Sequence, residues 1–255
     1  MSIILSVKDI LKLVMHNGSL CKVKDDEIMD YPYIQCIIKD PWSTYPDRKY
    51  DINYFKREFQ WYLNADPFDK RITKFAKTWE KIKQPNGSIF SNYGQYWFGR
   101  QNGFRWVVES LLEDPRTRQA YIPMCNASHI FPGNKDMVCT KGIQFRNVDD
   151  HIHMHVCMRS SDAIWGLGTD LPCFYVLWHM VCVAVGKEPG YFIFSSDSVH
   201  VYKRHFEMAG KIIENEMPPK PVEHPPIIDA ADLIEGRFQT GFGRWLTEVT
   251  LNDPS

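Results

Sequence analysis

The chain has 255 residues, of which 44% are hydrophobic and 24% charged; this excludes a disordered polymer and a bundle of membrane helices. Thirty Lys and Arg stand against 31 Asp and Glu, a formal charge of −1, which excludes a general coat for nucleic acid, so no direct DNA binding is expected. Seven cysteines without a CxxC pair, and a start (Met1–Val7) without a basic leader, read as a cytoplasmic chain with reduced thiols and no membrane anchor.

Val7, Ile10, Leu11 and Val14 share one stripe and predict a helix over 7–15. Residues 31–50 read as strand and loop. Phe55, Phe59 and Tyr62 predict a helix over 53–64. Glu58 lies on that same face. There it is either a carboxylate reaching solvent at the rim or a buried one suited to relaying protons or ordering water. A helix over 103–113 ends at Asp114-Pro115. Residues 118–125 and 142–159 read as strands, the second with His151, His153 and His155 on one side. No carboxylate or Cys at ligand spacing shares that side, and Cys157 merely continues it, so no metal is assigned. Residues 171–186 predict a buried helix, too short to span a bilayer from Leu171 to Val185. A strand over 190–195, a helix from near Ser196 to 216 and a proline-rich connector over 217–229 follow. Helices alternating with strands predict an α/β or α+β fold, read as a single domain over 1–255.

Three segments concentrate reactive residues: Asp136 to Phe145 around Cys139, Arg159 to Asp170, and Asp197 to Tyr202. Singly each is ordinary, since a free Cys most often packs as a small hydrophobe. Jointly they resemble the thymidylate synthase family. Cys139 is followed by Gln144-Phe145 as the family's nucleophile is. Arg159-Ser160-x-Asp162 follows twenty residues on, then a Gly166-Leu-x-x-Asp170 loop, then His200-x-Tyr202. Upstream, Glu58-x-x-Trp61, Tyr93-Gly94 and Asp114-Pro115-x-Thr117-Arg118 complete the pattern. The resemblance covers roughly residues 50–210. It implies a large mixed β-sheet flanked by helices, with sheets packed back to back in a homodimer.

One departure bears on the substrate. Family members acting on uracil carry Asn where Asp170 stands. Asn matches the O4 and N3–H edge of uracil, whereas a carboxyl sharing one proton matches the N4 donor and N3 acceptor of cytosine. The branch resembled most is the bacteriophage deoxycytidylate hydroxymethylases, with which Val138-Cys139-Thr140 also agrees. The resemblance implies 5,10-methylenetetrahydrofolate as co-substrate and dCMP as substrate. It also implies a host-cytoplasm location for a phage gene. Cys139 would add to C6, with Arg159 supplying the field that ionises a thiol. Glu58 would order water, and Asp170 would hold N3 and N4. Arg159 and Ser160 would bind the phosphate with Arg118 donated across the dimer interface, and His200 and Tyr202 the sugar. Gln144 would contact the nucleotide, while Asp162, Trp79 and Gly166 would line the folate site. Gln119 replaces a usual Arg, and the N-terminal phosphate loop is missing, with Lys22 or Lys24 as unaligned substitutes. CMP as substrate, a methylated product and a non-catalytic nucleotide binder stay open.

Overall fold

A computed structural model describes residues 3–42, 52–216, 224–229, 232, 239 and 241–252. Part of the expected proline-rich connector (217–223) lies outside them. Helix α1 (Val7–Asn17) starts at a capping box: the Asp9 N–H donates to Ser6 Oγ at 3.2 Å, and the Ser6 N–H donates to Asp9 Oδ2 at 2.9 Å. Its stripe Val7, Ile10, Leu11 and Val14 is buried, each side chain contributing about 1.5–3 kcal/mol.

The described strands are β1 (Ile4–Leu5), β2 (Ser19–Val23), β3 (Asp26–Ile38), β4 (Tyr121–Pro123), β5 (Thr140–Val148), β6 (His151–Met158), β7 (Ser161–Asp162) and β8 (Glu188–Tyr202). They form one mixed sheet in the order β1-β3-β8-β6-β5-β4, with β2 on β3 and β7 on β8. Helices α2 (Ile52–Asn64), α3 (Lys77–Ile82), α4 (Gly94–Trp97), α5 (Gly103–Glu113), α6 (Gly166–Val185) and α7 (Phe206–Ile213) intervene, and Gly241–Leu246 is helical near the C-terminus.

By contact density the chain divides into two units. The first comprises Met1–Tyr50, Met154–Leu177 and Tyr191–His224; in it α1 packs on β3 and α7. The second comprises Asp51–His153, Trp178–Gly190 and Pro225–Ser255; in it α5 packs on β4 and β5. Within this second unit, the Trp178 indole N–H donates to the Ile152 carbonyl at 2.6 Å.

Four expectations need correction. The span 142–159 is two strands joined by Asp149-Asp150, both at positive φ (50° and 64°), values that suit a tight hairpin turn. The strand read over 118–125 is shorter, Tyr121–Pro123. Residues 197–202 are strand, not helix: Asp30 and Asp162 both pair with His200, which fixes an extended backbone from either side. Finally, Gly166–Asp170 is the first turn of α6 rather than a loop. The helix is thereby 20 residues long, long and apolar enough to cross a membrane, but 61% of its most apolar window is buried inside the protein.

Candidate active site

The second unit holds Glu58, Trp79, Tyr93, Arg118, Cys139 and Gln144. Helix α2 turns Phe55, Glu58, Phe59, Trp61 and Tyr62 inward. Glu58 is 3% exposed, so the solvated-rim reading is overturned. The Tyr54 hydroxyl donates to Glu58 Oε1 at 3.2 Å and accepts from the Trp79 indole N–H at 2.8 Å. A buried carboxylate is thereby linked to Trp79 through one phenol. The Trp79 ring lies 5.0 Å from Trp61.

The Tyr93-Gly94 turn sits against α2. Tyr93 stacks on Tyr62 at 5.4 Å, and a Cβ on Gly94 would fall 1.6 Å from the Tyr62 carbonyl oxygen. Only glycine permits that approach. Asn92 reinforces it by donating to the Trp61 carbonyl at 3.3 Å.

Cys139 is half-buried immediately before β5. Next to it, Thr140 Oγ1 is buried with no hydrogen-bond partner among the described residues. Among the other thiols, burial pushes Cys36 and Cys182 up to about 12, so both stay protonated. Gln144 lies on β5 opposite Tyr121, and its amide donates to the Ala120 and Phe145 carbonyls at 2.9 and 3.0 Å. Arg118 is exposed.

The first unit holds Arg159, Ser160, Asp162, Gly166, Asp170, His200 and Tyr202. Asp162 Oδ1 accepts from the Ile164 and Trp165 N–H groups at 2.8 and 3.2 Å, which fixes the carboxylate at the entry to α6. A Cβ on Gly166 would lie 3.4 Å from Asp162 Cβ and 3.7 Å from Asp170 Oδ2, so the two carboxylate residues meet around one glycine. His200 is buried and packs edge-on to Tyr202 at 5.1 Å. Its Nδ1 and the hydroxyl of neighbouring Ser161 have no hydrogen-bond partner among the described residues. Burial holds His200 below the usual imidazole range, Asp162 and Asp30 pull it back up, and the Arg159 charge pushes it further down. The cation, the carboxylates and the imidazole therefore share one neighbourhood.

Buried polar atoms without partners are what a ligand-binding surface presents when its own hydrogen bonds are missing. Thr140, Ser161 and His200 are such positions, each within or beside a motif. Of the residues expected at the folate, Trp79 in the second unit is half-buried and pinned by Tyr54, the aromatic surface a pterin needs. In the first unit Asp162 is pinned by two N–H donors, the oriented carboxylate a pterin needs. No group of three or more His, Cys, Asp or Glu suited to a metal occurs among the described residues. On β6, His155 Nε2 instead lies 2.9 Å from Ser195 Oγ and 3.4 Å from Cys157 Sγ. An open surface trough of about 880 Å³ lined by Asn64, Phe68, Lys70 and Lys74 holds none of the predicted residues.

Tyr54, Ser91, Asp30 and Ser198 were not singled out in the sequence. Apart from Glu58, one turn from Tyr54 on α2, their partners lie 25 or more residues away.

Residues 38–228 match the family model described as thymidylate synthase. The chain is 30% identical over 167 residues to a deoxycytidylate 5-hydroxymethyltransferase of Enterobacteria phage T6, covering 60% of this chain and 68% of that one. The proteins of the same name from phages T4 and T2 match with the same identity and coverage.

Proposed function

Because the chain belongs to the thymidylate synthase family of one-carbon transferases, we propose that it converts dCMP to 5-hydroxymethyl-dCMP in the cytoplasm, as a homodimer. The observation that carries this reading is Asp170. It occupies the position where uracil-directed members have Asn, on the first turn of α6, with its carboxylate beside Gly166. The names of the phage relatives support it.

C5 of cytosine is a weak nucleophile. Addition of the Cys139 thiolate at C6 makes C5 electron-rich, the usual purpose of covalent catalysis. When bound, 5,10-methylenetetrahydrofolate supplies the one-carbon unit that C5 takes up. Asp170 accepts from N4 and donates its shared proton to N3 as charge moves through the ring. Arg159 and Ser160 hold the phosphate, with Arg118 donated across the dimer interface. His200 and Tyr202 bind the sugar hydroxyl. Gln144 stands at the nucleotide with its amide oriented by two carbonyls. Trp79, Asp162 and Gly166 line the folate side. Loss of the C5 proton, with release of the one-carbon unit from its carrier, leaves an exocyclic methylene on C5; Glu58 orders the water that adds to it, and departure of the Cys139 thiolate from C6 restores the ring. The link through Tyr54 to Trp79 gives the Glu58 carboxylate one fixed orientation.

The test is incubation of the protein with dCMP, formaldehyde and tetrahydrofolate, followed by mass spectrometry of the nucleotide. A hydroxymethyl product supports the proposal. A methyl product would assign hydride rather than water as the quench, and no product would overturn it. Parallel kcat/KM values for CMP and dCMP decide the sugar.

A further inference from the structure

Asp136 stands three residues before Cys139 and takes no part in the chemistry above. It is 3% exposed. The Ser91 N–H donates to its Oδ2 at 2.8 Å, and the Ser91 hydroxyl donates to its Oδ1. Its own N–H donates to Asn134 Oδ1 at 2.8 Å, and Asn134 donates onward to the His129 carbonyl at 2.6 Å. Ser91 begins the turn that carries Tyr93 and Gly94 against α2. One carboxylate therefore ties the segment leading to the thiol to the turn that meets Tyr62.

The tie is costly. Burial pushes the Asp136 carboxyl up, and Ser91, the Phe90 N–H and the weaker pull of His129 counter it. No salt bridge to Asp136 occurs among the described ion pairs, and burial holds His129 itself toward the neutral form. An apolar residue would avoid the desolvation penalty. What it would not supply is a directional hold at two oxygens, which fixes both distance and angle.

We propose that Asp136 is a positioning residue for the Cys139 thiol, acting by its two-point grip on Ser91. The proposal rests on the reading of Cys139 as nucleophile. A displacement of about 1 Å in a reacting group is enough to cost on the order of 100-fold in rate, so loss of part of the grip should appear in turnover before it appears in binding.

The experiment compares Ser91→Ala, Asp136→Asn and Asp136→Ala with the wild type in kcat, KM for dCMP and melting temperature. It adds the iodoacetamide alkylation rates of Cys139 and of Cys157, read by mass spectrometry of their peptides. Cys157, half-buried on β6, reports general loosening. Ser91→Ala is expected to lower kcat about tenfold with KM within about twofold, because only the placement of the thiol changes. Cys139 alkylation should rise at least about threefold while Cys157 stays at the wild-type rate. Asp136→Asn, which keeps one acceptor, should show the same changes more weakly than Asp136→Ala. Should Asp136→Ala fail to fold, the two milder variants still decide. Wild-type kcat and Cys139 reactivity in both would overturn the proposal, as would equal acceleration of both thiols. If the wild type makes no product from dCMP, the functional reading fails, and the alkylation arm still tests the placement of the thiol.

Discussion

Replacing Gly94 with Ala tests whether α2 and the Tyr93 turn form one rigid part of the site. The new Cβ would lie 1.6 Å from the Tyr62 carbonyl oxygen, 2.3 Å from its carbon and 2.5 Å from Cα, where ordinary contact begins at 3.4 Å. All three atoms are backbone, so no side chain can swing aside. The turn and α2 must part by nearly 2 Å, which breaks the Tyr62–Tyr93 stack and the Asn92 bond to the Trp61 carbonyl. Overpacking costs about 1–3 kcal/mol where side chains can adjust; with backbone on both sides we expect about 3 kcal/mol or more. For a chain of this size that is a fall in Tm of about 6–12 °C. A shift of α2, and with it Glu58, on that scale should cost kcat on the order of 100-fold. Scanning calorimetry and steady-state turnover measure both. A Gly94→Ala protein that melts within about 2 °C of the wild type and turns over normally would show that α2 and the Tyr93 turn are not one rigid part.

Other outcomes follow from the same geometry. Cys139→Ala should abolish turnover while dCMP still binds in calorimetry; surviving turnover would remove the thiol from the mechanism. Glu58→Gln should lower kcat by about 100-fold or more with KM for dCMP nearly unchanged, and an equal loss in KM would point to binding instead. Burial holds His129, His155 and His200 below the usual imidazole range. Each is then neutral when folded yet takes up a proton when unfolded below about pH 6.5. Stability from these groups is full above that pH and lost as the pH falls through the lower folded values. Melting temperatures between pH 7.5 and 5 should decline from near 6.5, and a flat profile would contradict the burial argument.

Much of the fold was legible where local chemistry is decisive. Helix α5 ends where Asp114-Pro115 stops it, and α1 and α2 follow their apolar stripes. The misreadings have separate causes; for residues 197–202 it is that a pairing partner lies far off in sequence. Val199 and Val201 alternate with polar residues as a strand should, but the strand continues only because β3 and β7 flank it. The β5–β6 turn uses two aspartates at positive φ where Asn-Gly is the usual signal. Gly166 and Gly168 read as loop punctuation, yet both lie in the first turn of α6. At the candidate site, the residues proposed to bear chemistry stand in motifs. Those that hold them, such as Tyr54 between Glu58 and Trp79 and Ser91 under Asp136, carry no motif, because the Tyr54–Trp79 and Ser91–Asp136 hydrogen bonds join distant segments and leave no local pattern.

In the proposed reaction Asp170 selects cytosine. The most direct test is the ratio of kcat/KM for dCMP to that for dUMP, measured for the wild type and for Asp170→Asn. A mismatched buried polar edge costs about 1–3 kcal/mol, so the ratio should fall by roughly 5- to 150-fold in the variant, with dUMP gaining. An unchanged preference for dCMP in Asp170→Asn would show that another residue reads the base.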